Sequence, residues 1–287
     1  MKKSFFSQDV GRIVAAALSE DIGPGDITTS LLIPEDKAAE GIIRAEEEVL
    51  LAGIWVAEEV FRTLDPGVEF EAFAADGDLL KNGDNILHVR GKARALLTGE
   101  RVALNFLQRL SGVASLSRRY AEAVKGLPVR IVDTRKTTPG LRGLEKYAVR
   151  VGGCWNHRYG LFDGVLIKEN HIALTPGVAE AIFLAKGNVP HTLKVEVEVR
   201  NLEEVREAIR GGADIVMLDN MDIPAMREAV CMIRSHKERK ILIEASGGMS
   251  LDHIREVAVT DIDLISAGAL THSASWLNIS MDIYETD

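Results

Sequence analysis

The amino-acid sequence predicts an α/β protein in which an α/β barrel follows an N-terminal α+β domain. In the second half, six short runs of apolar and β-branched residues alternate with amphipathic segments. The first part of the chain has a different texture, with strand-like runs separated by Gly-Asp turns. Polar residues follow five of the six runs, at the strand ends where barrel enzymes carry their active sites.

The N-terminal part is predicted to be a domain of residues 1–112. A long helix is expected from about Gly99 to Val124, with an interruption at Ser111-Gly112, and the domain junction is placed there. The strand-like runs and the turns between them lie at 41–51, 68–74, Gly77-Asp78 and Gly83-Asp84.

The second part, 113–270, is predicted to be the barrel. The segment 201–210 is a typical helix of this region, because Asn201 provides an N-cap and Gly211-Gly212 ends it. A doubly wound open sheet is the competing fold, but no run is followed by the G-x-G-x-x-G turn of a dinucleotide-binding sheet, which favours the barrel. The six predicted strands are 129–133, 163–167, 193–199, 214–218, 241–245 and 262–266.

The third predicted strand alternates between valines and charged residues. Glu196 and Glu198 share a face with Lys194, whereas the valines share the other. An edge strand with a solvated face would explain the pattern, but both faces of a parallel barrel strand are covered. The charged face is therefore expected to line the barrel interior, where unpaired carboxylates need cations or a ligand.

The residues that follow the predicted strands indicate a phosphate site and a metal site. Gly-rich turns after two neighbouring late strands allow backbone N–H groups to approach an anion. Glu198 and Asp219 are the candidate Mg²⁺ carboxylates, since Mg²⁺ is commonly held by carboxylates together with substrate phosphates. The turns are Ser246-Gly247-Gly248 and Ser266-Ala267-Gly268, and the other polar strand ends are 135–140, 168–171 and 219–220.

The formal net charge is −9, which argues against nonspecific nucleic-acid binding. Positive charge is nevertheless concentrated between Arg130 and Lys168, a stretch that contains eight basic and three acidic residues. No run approaches the roughly 20 apolar residues of a membrane span. Cys154 and Cys231 lack metal-ligand spacing, and Met1–Phe6 is not followed by the apolar stretch of an export signal, so the expected location is the cytoplasm.

Several motifs in order closely resemble the quinolinate phosphoribosyltransferase family. The matching residues cover nearly the whole chain, and the one departure is Cys154, which stands where a third glycine is usual after Gly152-Gly153. The motifs are Gly23–Thr29, Gly99–Arg101, Ser111-Gly112, Thr134–Arg142, Leu144–Val149, Asn156–Arg158, Leu166–His171, Val195–Glu198, Leu218–Asn220 and Glu244–Gly248.

The resemblance implies an incomplete barrel and a short N-terminal α+β sandwich that is completed by the C-terminal segment 271–287. It also implies a decarboxylating pentosyltransferase, a nicotinate-nucleotide diphosphorylase, that joins quinolinate to 5-phosphoribosyl 1-pyrophosphate with Mg²⁺. A homodimer is implied, with room for a higher assembly, in which Arg101 reaches the neighbouring active site. From the sequence alone, Arg101 would be an ordinary surface residue of a helix.

The resemblance further assigns roles within the expected site. Lys136, Glu198 and Asp219 would be catalytic, and the two carboxylates would also face the metal, directly or through water. The quinolinate-binding residues would be Arg101, Thr134, Arg135, His157, Arg158 and Lys168. The phosphoribosyl pyrophosphate-binding residues would be Lys136, Lys168, Glu198, Asp219, Ser246, Gly247, Gly248, Ser266, Ala267 and Gly268.

Three other functions are compatible with parts of the pattern. A related protein of molybdenum utilisation shares the fold, but the full cationic set argues against it. A phosphate-binding barrel isomerase or decarboxylase would explain the Ser-Gly turns and the inward carboxylates, yet it needs fewer cations. A non-catalytic anion-binding protein leaves Glu198 and Asp219 without a purpose, because carboxylates repel an anionic ligand.

Overall fold

The computed structural model describes residues 10–286, so the expectation for Met1–Phe6 lies outside the described residues. The chain forms two compact units. The first unit contains the residues up to Arg118, Thr138–Gly153 and the segment from Ser273 onwards, and the second contains Arg119–Thr137 and Cys154–His272. The segment 138–153 thus belongs to the first unit. The division at residues 112 and 270 stays a prediction.

The secondary structure follows in chain order. The strands are β1 (Ala38–Ala45), β2 (Val49–Leu50), β3 (Glu69–Ala72), β4 (Leu79–Leu80), β5 (Asn85–Lys92), β6 (Arg130–Val132), β7 (Val165–Ile167), β8 (Val195–Val199), β9 (Ile215–Asp219), β10 (Leu242–Ser246), β11 (Leu264–Ser266) and β12 (Ile279–Glu285). The helices are α1 (Val10–Ile22), α2 (Ile27–Leu32), α3 (Ile54–Leu64), α4 (Ala93–Ala123), α5 (Arg142–Val151), α6 (Glu169–Ile172), α7 (Val178–Asn188), α8 (Leu202–Gly211), α9 (Ile223–Ser235), α10 (Ile254–Ala258) and α11 (Ala269–His272).

The first unit is built on a four-stranded antiparallel sheet in the order β12-β1-β5-β3. β12 comes from the C-terminal segment and pairs with β1 from Ala39 to Ala45. The predicted turns at Gly77 and Gly83 are present, and both glycines have the positive φ that such turns require. The α+β character expected of this part of the chain is confirmed.

The predicted interruption of the long helix at Ser111-Gly112 is wrong, because α4 runs without a break from Ala93 to Ala123. A Cβ atom added at Gly112 would lie 1.9 Å from the carbonyl oxygen of Ser275. The glycine therefore permits a close backbone approach of the C-terminal segment within the first unit. A distant packing partner, and not a local turn, explains this Gly.

The second unit contains a six-stranded parallel sheet in the order β6-β11-β10-β9-β8-β7. Successive strands are neighbours from β7 to β11, and β6 lies beside the last of them. This circular order, open only between β6 and β7, is that of an incomplete barrel. A doubly wound sheet would instead reverse its strand order at an internal strand. All six strands predicted from the sequence are confirmed.

Local sequence explains the elements that position the site. The Asn201 side chain accepts a hydrogen bond from the Glu204 amide at the start of α8, and Gly212 ends that helix in the left-handed conformation. Every residue of β8 is buried, as expected for a strand covered on both faces. Among the described residues, no helix is long and apolar enough to cross a membrane.

Candidate active site

Strand register places the predicted carboxylates on one face of the parallel sheet. Glu198 pairs with Met217 in β9, and Asp219 lies two residues beyond Met217 on the same face. Ser246 pairs with Asp219 and therefore shares that face as well. The expectation that the charged side of β8 faces inward with the strand-end residues agrees with this register.

Glu198 and Lys168 form an ion pair at the C-terminal ends of the parallel strands. This end of the sheet, with Lys168, Glu198, Asp219 and the turns at the ends of β10 and β11, is called the rim. The Lys168 Nζ donates to Glu198 Oε2 at 2.7 Å, and the Glu198 side chain is almost wholly buried whereas Lys168 is about half exposed. Asp219 lies beside them on β9, where its Oδ2 accepts a hydrogen bond from the Asn220 side chain. The rim thus presents an anchored carboxylate and a cation that reaches solvent.

The glycine turns form a cradle after β10 and β11. Gly247 and Gly248 both have positive φ, and a Cβ at Gly247 would lie 2.2 Å from the Asn220 side-chain oxygen. The Ser266 hydroxyl at the end of β11 is buried and has no hydrogen-bond partner among the described residues. The second unit therefore combines a glycine cradle and a buried donor, as expected for a phosphate site.

Lys136 lies beside the second turn. Its side chain approaches Gly268, where an added Cβ would lie 3.0 Å from the lysine Cδ, and its carbonyl accepts a hydrogen bond from the Thr271 hydroxyl. The Thr134 hydroxyl accepts the Lys136 amide and shapes the turn. Lys136 is therefore placed where the sequence predicts a phosphate, and its catalytic role stays a prediction.

Two guanidinium groups of the predicted quinolinate set are near enough to repel each other. Burial, together with the charge of Arg135, lowers the pKa of Arg158 from its usual value. The Arg158 guanidinium also donates to the Gly164 carbonyl at 2.9 Å, which fixes its direction. Mutual repulsion between cations is relieved when an anion binds between them, as an aromatic dicarboxylate would.

His157 has both ring nitrogens engaged by the protein. Nδ1 accepts the Arg158 amide at 2.8 Å, while Nε2 lies 3.2 Å from Glu196 and 3.5 Å from Glu244. Burial disfavours the charged ring, whereas the two neighbouring carboxylates act to raise the pKa of His157. Burial and the charge of Glu244 also raise the pKa of Glu196.

The hydrogen bond from the Arg158 amide shows which of the two groups, His157 or Glu196, holds the additional proton. His157 Nδ1 accepts this bond, and a nitrogen that accepts a hydrogen bond carries no proton. The ring proton therefore lies on Nε2, facing the glutamates, and the raised pKa of Glu196 is the shift that this geometry supports. His157 is thus held in place by its neighbours. Its expected contact with quinolinate stays a prediction.

Sequence reasoning missed a buried carboxylate that positions this loop. Asp133 is inaccessible to solvent, and it accepts hydrogen bonds from the Asn156 side chain at 2.6 Å and the His157 amide at 2.9 Å. An Asp that directly follows the apolar residues Ile131-Val132 at the end of a predicted strand was the available signal. Glu244 was also missed as a site residue, although it stands inside a quoted motif.

The predicted residue Arg101 lies on α4 in the first unit. Its side chain is 60% exposed, and its nearest ion-pair partner is Glu100 at 3.9 Å. An exposed arginine of this kind is compatible both with a surface residue and with one that reaches a second chain. Its assignment to a neighbouring site remains untested.

Family models match almost the whole described chain. Residues 26–111 match the model for the N-terminal domain of quinolinate phosphoribosyl transferase, and residues 113–282 match the model for the C-terminal domain of the same protein. Together the two matches follow the order in which the sequence motifs occur.

Named relatives and solved structures are similar over most or all of their length. A probable nicotinate-nucleotide pyrophosphorylase [carboxylating] from Synechocystis is 44% identical over 93% of this chain and 90% of that protein. The corresponding Bacillus subtilis protein is also 44% identical, over 92% of this chain and 90% of its own. The crystal structure of NadC from Streptococcus pyogenes superposes with a TM-score of 0.92 at 41% identity and covers all of both chains.

Proposed function

Because the chain belongs to the quinolinate phosphoribosyltransferase family, we propose that it converts quinolinate and 5-phosphoribosyl 1-pyrophosphate to nicotinate mononucleotide, pyrophosphate and CO₂ in NAD biosynthesis. The observation that carries the proposal is the rim of the parallel sheet. There Lys168 is paired with the inward carboxylate Glu198, and glycine turns follow the neighbouring strands. This rim matches a substrate pair that carries carboxylates, phosphates and a developing positive charge.

Binding of quinolinate is assigned to the cationic side chains. Its two adjacent carboxylates would be held by Arg135, Arg158 and Lys168, with Thr134 supporting the turn. Each charge-assisted hydrogen bond of this kind contributes about 1.5–3 kcal/mol. His157 would act beside them, by holding the Arg158 amide and, as the family resemblance implies, by meeting the substrate.

The sugar phosphate is assigned to the other half of the rim. Backbone N–H groups of the two glycine turns would hold the 5-phosphate, and Lys136 would approach the pyrophosphate. Glu198 and Asp219 would face the ribose. These roles are supported by the positive φ angles of Gly247 and Gly248 in the first turn and by the common face of the carboxylates. The residues of the turns are Ser246, Gly247, Gly248, Ser266, Ala267 and Gly268.

The reaction joins the quinolinate ring nitrogen to C1 of the ribose as the bond to pyrophosphate breaks. Positive charge develops on the sugar during this step, and the carboxylates of Glu198 and Asp219 stabilise it. The glycosylated ring nitrogen is cationic, so the adjacent carboxylate leaves as CO₂ and the remaining electron pair is stabilised beside that charge before it is protonated. Lys136 would neutralise charge on the leaving pyrophosphate, and Lys168 would neutralise charge on the quinolinate carboxylates.

We propose Mg²⁺ as the cofactor, because carboxylate oxygens are the donors that this hard cation prefers. Glu198 and Asp219 supply such oxygens on one face, so the residues present fit the ion. When bound, it would neutralise charge on the leaving pyrophosphate.

The decisive experiment mixes the purified protein with quinolinate, 5-phosphoribosyl 1-pyrophosphate and Mg²⁺ and follows nicotinate mononucleotide and CO₂ by mass spectrometry. Nicotinate replaces quinolinate in the matched control. Loss of one carboxylate contact should lower kcat/KM by roughly 10- to 150-fold, since 1.5–3 kcal/mol is that factor. Absence of product, or equal use of nicotinate, would refute the assignment.

We also propose a cytoplasmic homodimer that shares its active sites, with Arg101 of one chain completing the site of the other. The exposed position of Arg101 supports this arrangement. Mixing inactive Arg101→Ala and Lys136→Ala chains after reversible dissociation tests it. A two-fold dimer with shared sites should regain about a quarter of the wild-type activity, because half of the dimers are mixed and each has one intact site. If the two residues act in the same chain, mixing will restore nothing.

A further inference from the structure

A separate cavity of about 440 Å³ opens at the other end of the parallel strands in the second unit. Its wall includes the first residues of four strands, namely Arg130 of β6, Val165 of β7, Ile215 of β9 and Leu264 of β11. His157 and Arg158 of the predicted quinolinate set also line it, whereas Lys168, Glu198, Asp219 and the glycine turns do not. The cavity therefore lies apart from the Glu198–Asp219 rim and shares with the predicted site only the loop that carries His157 and Arg158.

Two buried glutamates line this cavity. Glu244 is fully inaccessible, Glu196 is 4% exposed, and both face the barrel interior by their register with Ile215 and Met217. Both oxygens of Glu244 and Oε1 of Glu196 have no hydrogen-bond partner among the described residues. The His157 Nε2 lies 3.2 Å from Glu196 and 3.5 Å from Glu244, but one N–H cannot satisfy two buried carboxylates, which cost several kcal/mol each, so this pair calls for a cation.

The geometry points to a hard divalent cation, such as Mg²⁺ or Mn²⁺, held by Glu196 and Glu244 and hydrated from the cavity. One oxygen of each carboxylate and the His157 Nε2 all lie within 4.8 Å of one another. Two oxygens bound at about 2.1 Å to one such ion can be at most about 4.2 Å apart, so small side-chain movements suffice. The cavity has room for the waters that these ions retain.

His157 supports this site without being a ligand of the ion. Metal-bound histidines usually donate their second N–H to an acceptor. Here the second nitrogen, Nδ1, accepts the Arg158 amide, so Nε2 carries the proton and cannot bind a metal. Nε2 instead donates toward the carboxylates and orients them, and that leaves an all-oxygen donor set. Such a set selects hard cations over zinc or copper.

The test measures Mn²⁺ binding to the chelator-treated full chain in the absence of both substrates, by electron paramagnetic resonance and by anomalous scattering from crystals. A manganese peak between Glu196 and Glu244 is expected. Glu244→Gln should weaken binding there by at least about 100-fold, because even residues one step removed from a metal contribute about 10- to 100-fold. Glu198→Gln is the matched control and should retain the peak.

Thermal unfolding provides a second readout that does not depend on catalysis. Mn²⁺ should raise the Tm of the wild-type protein and of Glu198→Gln more than that of Glu244→Gln or Glu196→Gln, in which only the Glu198–Asp219 site remains. No anomalous peak at Glu244, or an unchanged Mn²⁺ response in both cavity variants, would overturn the inference. Because no substrate is present, this result is separate from the outcome of the quinolinate assay.

Discussion

Glu145 in the first unit and Glu244 in the second are both wholly inaccessible to solvent, yet their surroundings are opposite. Glu145 accepts three hydrogen bonds at one oxygen, two from Arg109 and one from the Thr138 hydroxyl, and its other oxygen accepts the Thr138 amide. Neither oxygen of Glu244 makes a hydrogen bond among the described residues, and the His157 Nε2 lies 3.5 Å from one of them. A buried charge with all its partners built in stabilises a fold, whereas one without them indicates a ligand.

The largest effect is expected from removing the satisfied charge. Glu145→Gln should lower the free energy of unfolding by about 3–5 kcal/mol, because it leaves the Arg109 guanidinium buried without its counter-charge. Glu244→Gln, in metal-free buffer, should change it by less than about 1 kcal/mol or stabilise the protein, because a neutral amide is less costly to bury. Urea unfolding of the two variants measures both values. Equal losses would contradict the contrast.

A second test separates chemistry from folding at the rim. Lys136→Ala or Glu198→Ala should lower kcat by about 100-fold or more, since groups that face developing charge contribute on that scale. Stability should change much less, because Lys136 is exposed and Glu198 has one side-chain partner. Steady-state kinetics and urea unfolding are compared, with the exposed Lys237→Ala as control. Near wild-type turnover in either variant would remove that residue from the catalytic assignment.

The contrast between the two glutamates also shows what the sequence could predict. The alternation of 193–199 and the apolar runs predicted all six barrel strands, because strand formation depends largely on the pattern of neighbouring residues. The surroundings of Glu145, Asp133 and Glu244 are not local. Each depends on which distant segments pack together, as does the role of Gly112 against Ser275.

The candidate site likewise has features that the sequence could predict and features that depend on tertiary packing. Strand order and parallel register bring Glu198, Asp219 and Ser246 to one face, and the sequence could predict that. It could not predict that both nitrogens of His157 are engaged by the protein, since Glu196 and Glu244 come from two other strands. Motifs locate polar residues at strand ends, but tertiary packing decides which of them are already bonded.

A smaller effect is expected at Lys168, the cation that bridges protein and substrate in the proposed site. Lys168→Met should reduce kcat/KM for quinolinate by roughly 10- to 150-fold, the value of one charge-assisted hydrogen bond. It also removes the partner of Glu198, so the variant tests whether that carboxylate needs its ion pair. Kinetics with varied quinolinate provide the measurement. An unchanged kcat/KM would place the substrate carboxylates elsewhere.

The smallest effect concerns Asp214, a satisfied carboxylate at the start of β9 in the second unit. Burial opposes ionisation, but hydrogen bonds from Lys186 and the Val195 amide outweigh it and lower the pKa of Asp214 below its usual 3.8. A lowered pKa contributes stability above pH 3.8, and that contribution is lost as the pH falls through the folded-state value. Asp214→Asn should therefore lower the free energy of unfolding by about 1 kcal/mol at pH 7, and the difference from wild type should shrink below pH 4. Urea unfolding at both pH values measures this difference, with the exposed Asp36→Asn as control. A difference in the free energy of unfolding that grows in acid would contradict the lowered pKa of Asp214.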